Sequence, residues 1–492
     1  MTEHLPVLEI VVPLMAAPLC VLLRRSRLGL WFSTGVAWAV FAMALALFAR
    51  VSREGVVLYP LGGWAVPWGI EYRVDPLGAF LLLLISGVGA VVLSSAPRSV
   101  EREIPADRHG LFCAAYLLCL TGLLGIVVTG DLFNLFVFLE ISSLSAYALV
   151  GLGRDRRALT AAFQYLVLGT IGATFILIGI GLLYGATGTL NMIDMAERLG
   201  EARGLRMVHV AFAFFSVGVC LKMALFPLHL WLPNAYTYAP SVVSAFLAAT
   251  ATKVSVYILL RLVFTVYGAD FAFVAMPLDR VLMPLALAGI FVASTVAIFQ
   301  HDVKRLLAYS SVAQIGYIVL AASFASVTGL TAGIVHVFNH ALTKGGLFLA
   351  MGCIALRVDT TRIGDLRGIG RSMPLTMFAW VLGGLGLIGV PLTSGFVSKW
   401  YLIVAAWERG AWPVAVAVVA SSLLALAYVW RVIETAYFEA PPPGRESVRE
   451  APLALLVPTW VLIGASIYFG VATRFPLAAA RRAAQALLGG AS

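Results

Sequence analysis

Five charged residues stand inside long apolar stretches of this 492-residue chain. They are Glu140, Lys222, Lys253, Lys344 and Lys399. If these stretches cross a bilayer, each charge costs about 2.5–3.5 kcal/mol at mid-membrane. Together they would cost on the order of 12–18 kcal/mol, which is comparable to the stability of a whole domain. The sequence therefore predicts that these residues pair with one another or line a hydrated path.

One glutamate cannot neutralise four lysines. An ion pair between helices would account for Glu140 and a single lysine, and this structural alternative stays open for that pair. The other three lysines then have no counter-ion among the five residues. Buried lysines change protonation state readily, which suits them to proton exchange. The set as a whole favours a relay for protons or cations over a purely structural role.

Two histidines lie on the same predicted helix as Lys344. Because His336, His340 and Lys344 are spaced four residues apart, they share one helix face and span about 12 Å of its axis. Imidazole titrates near neutrality and can pass a proton along such a face. No carboxylate or cysteine accompanies them at ligand spacing, so a metal site is disfavoured. The stripe predicts a proton relay.

Two of the apolar stretches contain a helix-breaking proline beside a buried lysine. Pro227 follows Lys222 by about one turn, and Pro391 precedes Lys399. A proline inside a helix frees a backbone carbonyl, which is tolerated in a membrane only where protein or water satisfies it. A single proline of this kind would indicate an ordinary helix kink. Two of them, in corresponding helices, predict a transporter built from inverted repeats with ion sites at mid-membrane.

The elements that must position these residues are transmembrane helices. The chain is 61% hydrophobic and 12% charged, with a mean hydropathy of +0.96, whereas soluble domains are about 25% charged. About fourteen stretches reach the length that a membrane helix needs, which predicts an all-α polytopic membrane protein with broken seventh and twelfth helices. The predicted spans are 5–23, 29–49, 76–95, 110–129, 131–151, 160–184, 207–231, 240–266, 278–300, 305–324, 328–356, 374–406, 411–436 and 453–472.

The net charge of +10 reflects membrane topology rather than nucleic-acid binding. The basic residues lie in short loops between apolar stretches and form no basic face. The loops on one side carry more Lys and Arg, which predicts that both termini lie on the outer side. Arg261 and Arg431 fall near helix ends, where we expect their side chains to snorkel to the interface.

The chain carries no motif for a cofactor. Its five cysteines lie in apolar stretches without a CxxC pair, so neither disulfides nor a thiolate metal site is indicated. A nucleotide-binding glycine loop, a haem attachment motif and an iron–sulfur cysteine set are absent from the sequence. The first apolar stretch follows Glu3 and His4 rather than a basic region, which predicts a spanning helix and not a signal peptide. We expect a transporter subunit without enzymatic activity of its own.

Five motifs together resemble a known superfamily. The chain is similar to the antiporter-like subunits shared by respiratory complex I, membrane-bound hydrogenases and Mrp multisubunit cation/proton antiporters. Within it, the D-type subunits of the Mrp Na⁺/H⁺ antiporters are the most similar branch, because of the compact length, the Asp-Leu-Phe-Asn-Leu-Phe-Val-Phe sequence and the lysine at 399. The motifs lie at 130–140, 221–233, 302–311, 336–348 and 391–400.

The resemblance implies a division of the chain. Two inverted five-helix repeats would occupy residues 110–266 and 278–436. Accessory helices would precede them in residues 1–109, and a transmembrane helix with an amphipathic tail would follow in 437–492.

The resemblance also implies roles for individual residues. Glu140 would be the charged partner that modulates Lys222. Lys253 and the face of His336, His340 and Lys344 would form a lateral hydrophilic axis, and Lys399 would be the terminal ionisable group. His229, in the first broken-helix motif, would assist.

Three functions remain open at this point, and the least favoured is a membrane enzyme or passive scaffold, because no loop carries a nucleophile and a base together. The first is Na⁺/H⁺ exchange, carried out with other membrane subunits in the inner membrane of a bacterium. The second is proton pumping within an NADH:quinone oxidoreductase, a membrane-bound hydrogenase or an inorganic-carbon transport complex, in which this subunit would hold no redox centre. Both imply protons as substrate, the lipid bilayer as surroundings and neighbouring subunits as partners.

Overall fold

The computed structural model describes residues 2–23, 27–442 and 448–489, and apart from one short hairpin its regular structure is helical. The predicted segments 1–109 and 437–492 include residues 1, 24–26, 443–447 and 490–492, which lie outside the described part. The helices are α1 (Leu5–Leu22), α2 (Arg27–Glu54), α3 (Pro76–Ser94), α4 (Ala96–Glu103), α5 (His109–Val128), α6 (Leu132–Gly151), α7 (Arg156–Thr187), α8 (Met192–Ala202), α9 (Arg206–Lys222), α10 (Trp231–Tyr238), α11 (Ser241–Leu260), α12 (Asp279–Ile298), α13 (Val303–Ser323), α14 (Val327–Val358), α15 (Ile369–Ser372), α16 (Pro374–Ile388), α17 (Ser394–Glu408), α18 (Trp412–Phe438), α19 (Leu453–Val471) and α20 (Arg474–Leu488).

Twelve helices in the described ranges are long and apolar enough to cross a membrane. Two further crossings are made by the pairs α9/α10 and α16/α17, whose members are too short to span alone because each pair is interrupted. The twelve intact helices and the two broken ones give fourteen crossings. The predicted all-α polytopic fold with broken seventh and twelfth helices is confirmed.

Successive crossings alternate in direction, so the two ends of the chain lie on the same face. We call it the hairpin face, because it carries the strands β1 (Val57–Pro60) and β2 (Glu71–Val74). His4 reaches this hairpin with its Nδ1 atom 3.0 Å from the Tyr59 hydroxyl. The hairpin and α8 fall in segments without a predicted element. That this face is the outer one stays a prediction.

The two halves of the bundle repeat one local arrangement. Asp131 caps α6 by accepting a hydrogen bond from the Asn134 amide at 2.7 Å, and its backbone pairs with Asn191 beyond α7. Asp302 caps α13 in the same way, and its backbone pairs with Arg362 beyond α14. Since α6 begins at the hairpin face and α13 at the opposite face, the two arrangements are inverted. The residue bounds of the repeats stay a prediction.

Left-handed backbone conformations end the helices at both breaks. Ala224 has φ +58° in the first break, and Gly389 and Leu392 have φ +86° and +70° in the second. The Gly389 amide donates to the Leu385 carbonyl and closes the last turn of α16. A Cβ at Gly395 would lie 1.9 Å from the Gly386 carbonyl oxygen, so a glycine is needed for α17 to approach α16 this closely.

The expected snorkelling of Arg261 is wrong. Its guanidinium is buried and forms an ion pair with the carboxylate of Asp75, the residue that caps α3. The Arg261 Nε atom also donates to the Tyr257 hydroxyl at 2.9 Å, and that hydroxyl donates to the Val127 carbonyl at 2.9 Å. Because the partner lies within the bundle, the side chain joins the end of α11 to α3 instead of reaching the interface.

We expect Arg261→Met to destabilise the subunit by about 3–5 kcal/mol, because it leaves a buried carboxylate without its counter-ion. The double variant Arg261→Met/Asp75→Asn should recover most of this loss. The measurement is the midpoint of thermal unfolding of the purified host complex. Arg367→Ala is the matched control, since its partner Glu439 is solvent-exposed and such pairs contribute about 0–1 kcal/mol. Equal midpoints for Arg261→Met and Arg367→Ala would contradict the assignment.

Candidate functional site

Seven of the eight predicted ionisable residues, all except His229, form a set that we call the central polar line: six are buried within the bundle, and Glu140 is partly exposed at its edge. Its members are Glu140, Lys222, Lys253, Lys344, His340, His336 and Lys399.

Lys222 and Glu140 form the first segment of the line. Lys222 is the last residue of α9, directly before the break, and its ammonium donates to Ser143 Oγ at 2.8 Å. The Glu140 carboxylate lies 3.6 Å from the same ammonium, longer than a charge-assisted hydrogen bond of about 2.7–2.9 Å. Its side chain is 26% exposed, so Glu140 reaches Lys222 from the periphery of the bundle.

A small cavity connects Lys222 with the helix that carries Lys253. It has a volume of about 30 Å³, and its polar lining includes Ser142, Ser143 and Ser255. A cavity of this size with several hydroxyl groups is large enough for water. Lys253 is buried on α11, where its ammonium donates to the Ala248 carbonyl. Lys253 itself does not line the cavity, so water there would extend the hydrogen-bonding groups from Lys222 to Ser255 on α11.

The predicted relay face of α14 lies at the centre of the bundle. Lys344 is fully buried, and its ammonium donates to the Leu307 carbonyl at 2.7 Å and to Ser310 Oγ. The rings of His336 and His340 are stacked with centroids 6.1 Å apart. Neither ring nitrogen of His340 has a hydrogen-bond partner among the described residues.

His336 has polar partners on two neighbouring helices. Its Nε2 atom lies 2.8 Å from Gln314 Oε1 on α13, and its Nδ1 atom lies 2.8 Å from Ser398 Oγ on α17. Ser398 precedes Lys399 in the chain. The imidazole therefore connects α13, the relay face and the second broken helix.

Lys399 ends the line at the second break. Its ammonium donates to the carbonyls of Leu387 and Ile388 at 3.2 and 2.9 Å, and to Ser422 Oγ at 3.0 Å. It also lies 4.7 Å from the centre of the Tyr317 ring, within the range of a cation–π contact. The side chain is 5% exposed.

His229 lies off the central polar line. It is buried in the break between α9 and α10, stacked on Phe226 with ring centroids 5.4 Å apart and close to Tyr309. Its Nδ1 atom lacks a hydrogen-bond partner within the described ranges. An assisting role for His229 stays a prediction.

A polar stripe on α13 contributes partners that sequence reasoning did not single out. Ser310 contacts Lys344, Gln314 contacts His336, and Tyr317 lies under Lys399. Their spacing of three and four residues places them on one face of α13. The sequence pattern that could have revealed this stripe is a set of polar residues at helical spacing within an otherwise apolar stretch.

Helix α13 begins at a recess in the face opposite the hairpin. Lys304 is buried there, and its ammonium donates to the Ala239 carbonyl at 2.7 Å. The recess has a volume of about 830 Å³ and a charged lining of both signs. The lining includes Glu103, Arg157, Asp302, Lys304, Arg305 and Arg362.

Sequence reasoning also missed a buried carboxylate in the first helix. Glu9 on α1 is fully buried, and neither carboxylate oxygen has a hydrogen-bond partner in the part of the chain that the structure describes. Its position inside the apolar stretch 5–23 was the available signal. It lies outside the central polar line, and no role is assigned to it.

Fourteen crossings, two broken helices and a buried line of lysines and histidines define an antiporter-like membrane subunit. The family described as NADH:quinone oxidoreductase/Mrp antiporter, TM, matches residues 129–425, and the chain belongs to this family. The predicted resemblance is confirmed.

Relatives are found in both branches of the family. The chain is 44% identical to the N subunit of the NADH-quinone oxidoreductase of Desulforudis audaxviator, with 94% of each chain covered. It is 28% identical to the D subunit of the Na(+)/H(+) antiporter of Alkalihalophilus pseudofirmus, with 96% of this chain and 94% of that protein covered.

Solved structures agree with the fold over almost the whole chain. A chain in the Mrp complex from a Dietzia species gives a TM-score of 0.91 at 27% identity, with 99% of this chain and 97% of that chain covered. A chain in the membrane-bound sulfane sulfur reductase, an archaeal respiratory complex, gives a TM-score of 0.90 at 32% identity, with 99% and 98% covered. The chain is therefore similar to subunits of multisubunit membrane complexes.

We expect Lys222→Ala to lower both ion transport and the abundance of the subunit in membranes, because it removes the cation that faces Glu140. Glu140→Gln should strongly reduce transport while abundance stays normal. In the double variant Lys222→Ala/Glu140→Gln, the abundance of the subunit should return to normal, whereas ion transport should remain low. Immunoblots and pH changes in vesicles measure the two quantities in one membrane preparation. If the double variant is no more abundant than Lys222→Ala, the ion pair does not explain the loss.

Proposed function

We propose that this chain moves protons along the central polar line as one subunit of a multisubunit monovalent cation/proton antiporter, with Na⁺ as the exchanged cation. The membrane would be the inner membrane of a bacterium, with both termini on the outer side. The observation that carries the proposal is the burial of four lysines and two histidines inside one helix bundle, with hydroxyl groups beside Lys222, Lys344, His336 and Lys399.

The partners of the buried lysines suit a relay. Lys253, Lys344 and Lys399 donate to carbonyls and hydroxyls instead of carboxylates. A lysine in such surroundings can lose its proton without leaving an unpaired buried anion behind. The hydroxyl and amide groups between the lysines and histidines supply intermediate hydrogen-bond partners for the proton.

Glu140 supports a requirement for neighbouring subunits. It lies near the middle of α6, yet part of its side chain faces outward. A carboxylate facing lipid at this depth is unfavourable. A second subunit packed against this side of α6 would cover it and would extend the polar line beyond this chain.

Two observations bear on the host complex. The lysine at 399 favours the antiporter, whereas the matches to a chain of an Mrp complex and to a chain of a respiratory sulfane sulfur reductase are equally complete. The 44% identical relative is named as a subunit of an NADH-quinone oxidoreductase, which favours the second candidate, a redox-driven proton-translocating complex. In that complex this chain would move protons without a redox centre of its own.

The two candidates are separated by what drives proton movement. In vesicles that contain the complete complex and an imposed pH gradient, adding Na⁺ without an electron donor should dissipate the gradient, and deleting this chain should abolish the response. Liposomes with the purified chain alone should show no exchange. If proton movement requires an electron donor and does not respond to Na⁺, the host is the redox-driven complex and not the antiporter.

Lys399 should behave differently from Lys222 because no carboxylate depends on it. We expect Lys399→Ala to lose transport while the subunit stays at normal abundance. Lys399→Arg should lose transport as well, because a guanidinium stays charged and cannot exchange its proton. Transport rate and abundance should be compared with those of Lys222→Ala. Wild-type transport by Lys399→Arg would mean that residue 399 serves only as a fixed positive charge.

A further inference from the structure

The groups around the Lys399 ammonium form a site for a positive charge that does not depend on the lysine. We call it the Lys399 cage: the backbone oxygens of Leu387 and Ile388, Ser422 Oγ and the face of the Tyr317 ring. Three oxygens lie between 2.9 and 3.2 Å from the ammonium nitrogen, and the ring lies beneath it. The two carbonyls and the ring face are acceptors, and the Ser422 hydroxyl can direct its hydrogen to the Val418 carbonyl, 3.5 Å away, which leaves its oxygen lone pairs for a cation.

The two carbonyls are available because α16 is broken at this point. The Leu387 carbonyl would accept from residue 391 in a continuous helix, but Pro391 has no amide hydrogen. The Ile388 carbonyl belongs to the last residue of α16, and the chain turns away at Gly389. Free carbonyls at a helix C-terminus carry partial negative charge. In transporters with broken helices, such ends coordinate small cations.

No carboxylate competes with the cage for the bound charge. The helices packed against α17 are α13, α14, α16, α18 and α19. Together with α17 they contain two acidic residues, Glu408 and Glu434, and both lie near helix ends. Carbonyl and hydroxyl dipoles therefore hold the single positive charge of Lys399. If the lysine became neutral, the same dipoles would converge on a site without a charge.

We infer that the Lys399 cage binds a small monovalent cation in place of the protonated lysine. The lysine proton and the cation would then be mutually exclusive occupants of one set of oxygens. Protonated Lys399 donates its proton to the central polar line, whose nearest titratable member is His336, and the neutral side chain leaves the oxygens free for the cation. This inference rests on the proposed function and places the exchange of cation for proton at the second broken helix.

The titratable groups that face Lys399 are limited in number. Tyr317 comes from α13, His336 comes from α14 through Ser398, and Tyr428 comes from the core-facing side of α18. Helix α16 contributes carbonyls alone, and the one titratable residue of α19, Tyr468, is largely exposed. Over the range in which tyrosines stay neutral, the pH dependence of cation binding should therefore follow Lys399, with His336 as the neighbour whose charge acts on it.

The test is equilibrium binding of radioactive sodium to the purified complex, across a pH series, with choline replacing other cations. Wild-type complex should bind sodium more tightly as pH rises, because protons compete for the cage. Lys399→Met, which keeps an unbranched side chain one atom shorter and removes its charge, should bind sodium with an affinity that no longer changes with pH. Ser422→Ala should weaken binding about tenfold at every pH, as the loss of one oxygen ligand would.

A second variant on α18 controls for nonspecific effects. The hydroxyl of Thr435 is buried and bonds within its own helix, to the Arg431 carbonyl, so Thr435→Val should bind sodium as the wild type does. If Lys399→Met and Ser422→Ala both keep the wild-type sodium affinity and its pH dependence, the cage is not a cation site. Proton transport by Lys399→Ala is a separate measurement from sodium binding. The cage can therefore fail to bind sodium while the proposed proton transport along the central polar line is still supported.

Discussion

A charge buried in a bilayer has no water to solvate it, so the protein must supply every partner. Four lysines of this chain meet that constraint with backbone carbonyls, hydroxyls and one carboxylate. Intact helices have few carbonyls to offer, because their own amides occupy them. Lys399 meets the constraint with carbonyls that the second break leaves free. Lys253 and Lys344 instead share carbonyls of the intact helices α11 and α13, and hydroxyls such as those of Ser143 and Ser310 supply further partners.

The two broken helices meet this requirement in different ways. Lys222 lies before its break and faces Glu140, a carboxylate that is partly exposed at the edge of the bundle. Lys399 lies after its break and faces the free carbonyls of the preceding helix. The inverted arrangement thus has an anionic partner at one end of the central polar line and a neutral, dipolar partner at the other. The two ends of the line therefore offer different surroundings to a positive charge.

Rigid elements hold this line in place. Helix α13 packs against α14 and presents Ser310, Gln314 and Tyr317 to successive members of the line. At the hairpin face, the ion pair of Arg261 with Asp75 joins α11 to α3. At the opposite face, Lys304 and Arg305 at the start of α13 line the large recess. The polar groups are thus fixed by packing, and the protonation states of a few side chains are what can change.

The sequence by itself determined the fourteen crossings, the two breaks and the relay face of His336, His340 and Lys344. These follow from local properties: the length of apolar stretches, the missing amide hydrogen of proline and the period of the helix. Only the tertiary structure decided which group each lysine meets, that Arg261 turns inward to Asp75, and that His229 lies off the line. Most of those contacts join helices that are distant in sequence, so they depend on how the helices pack. The residues beside a lysine do not indicate which carbonyl or hydroxyl on another helix the lysine will contact.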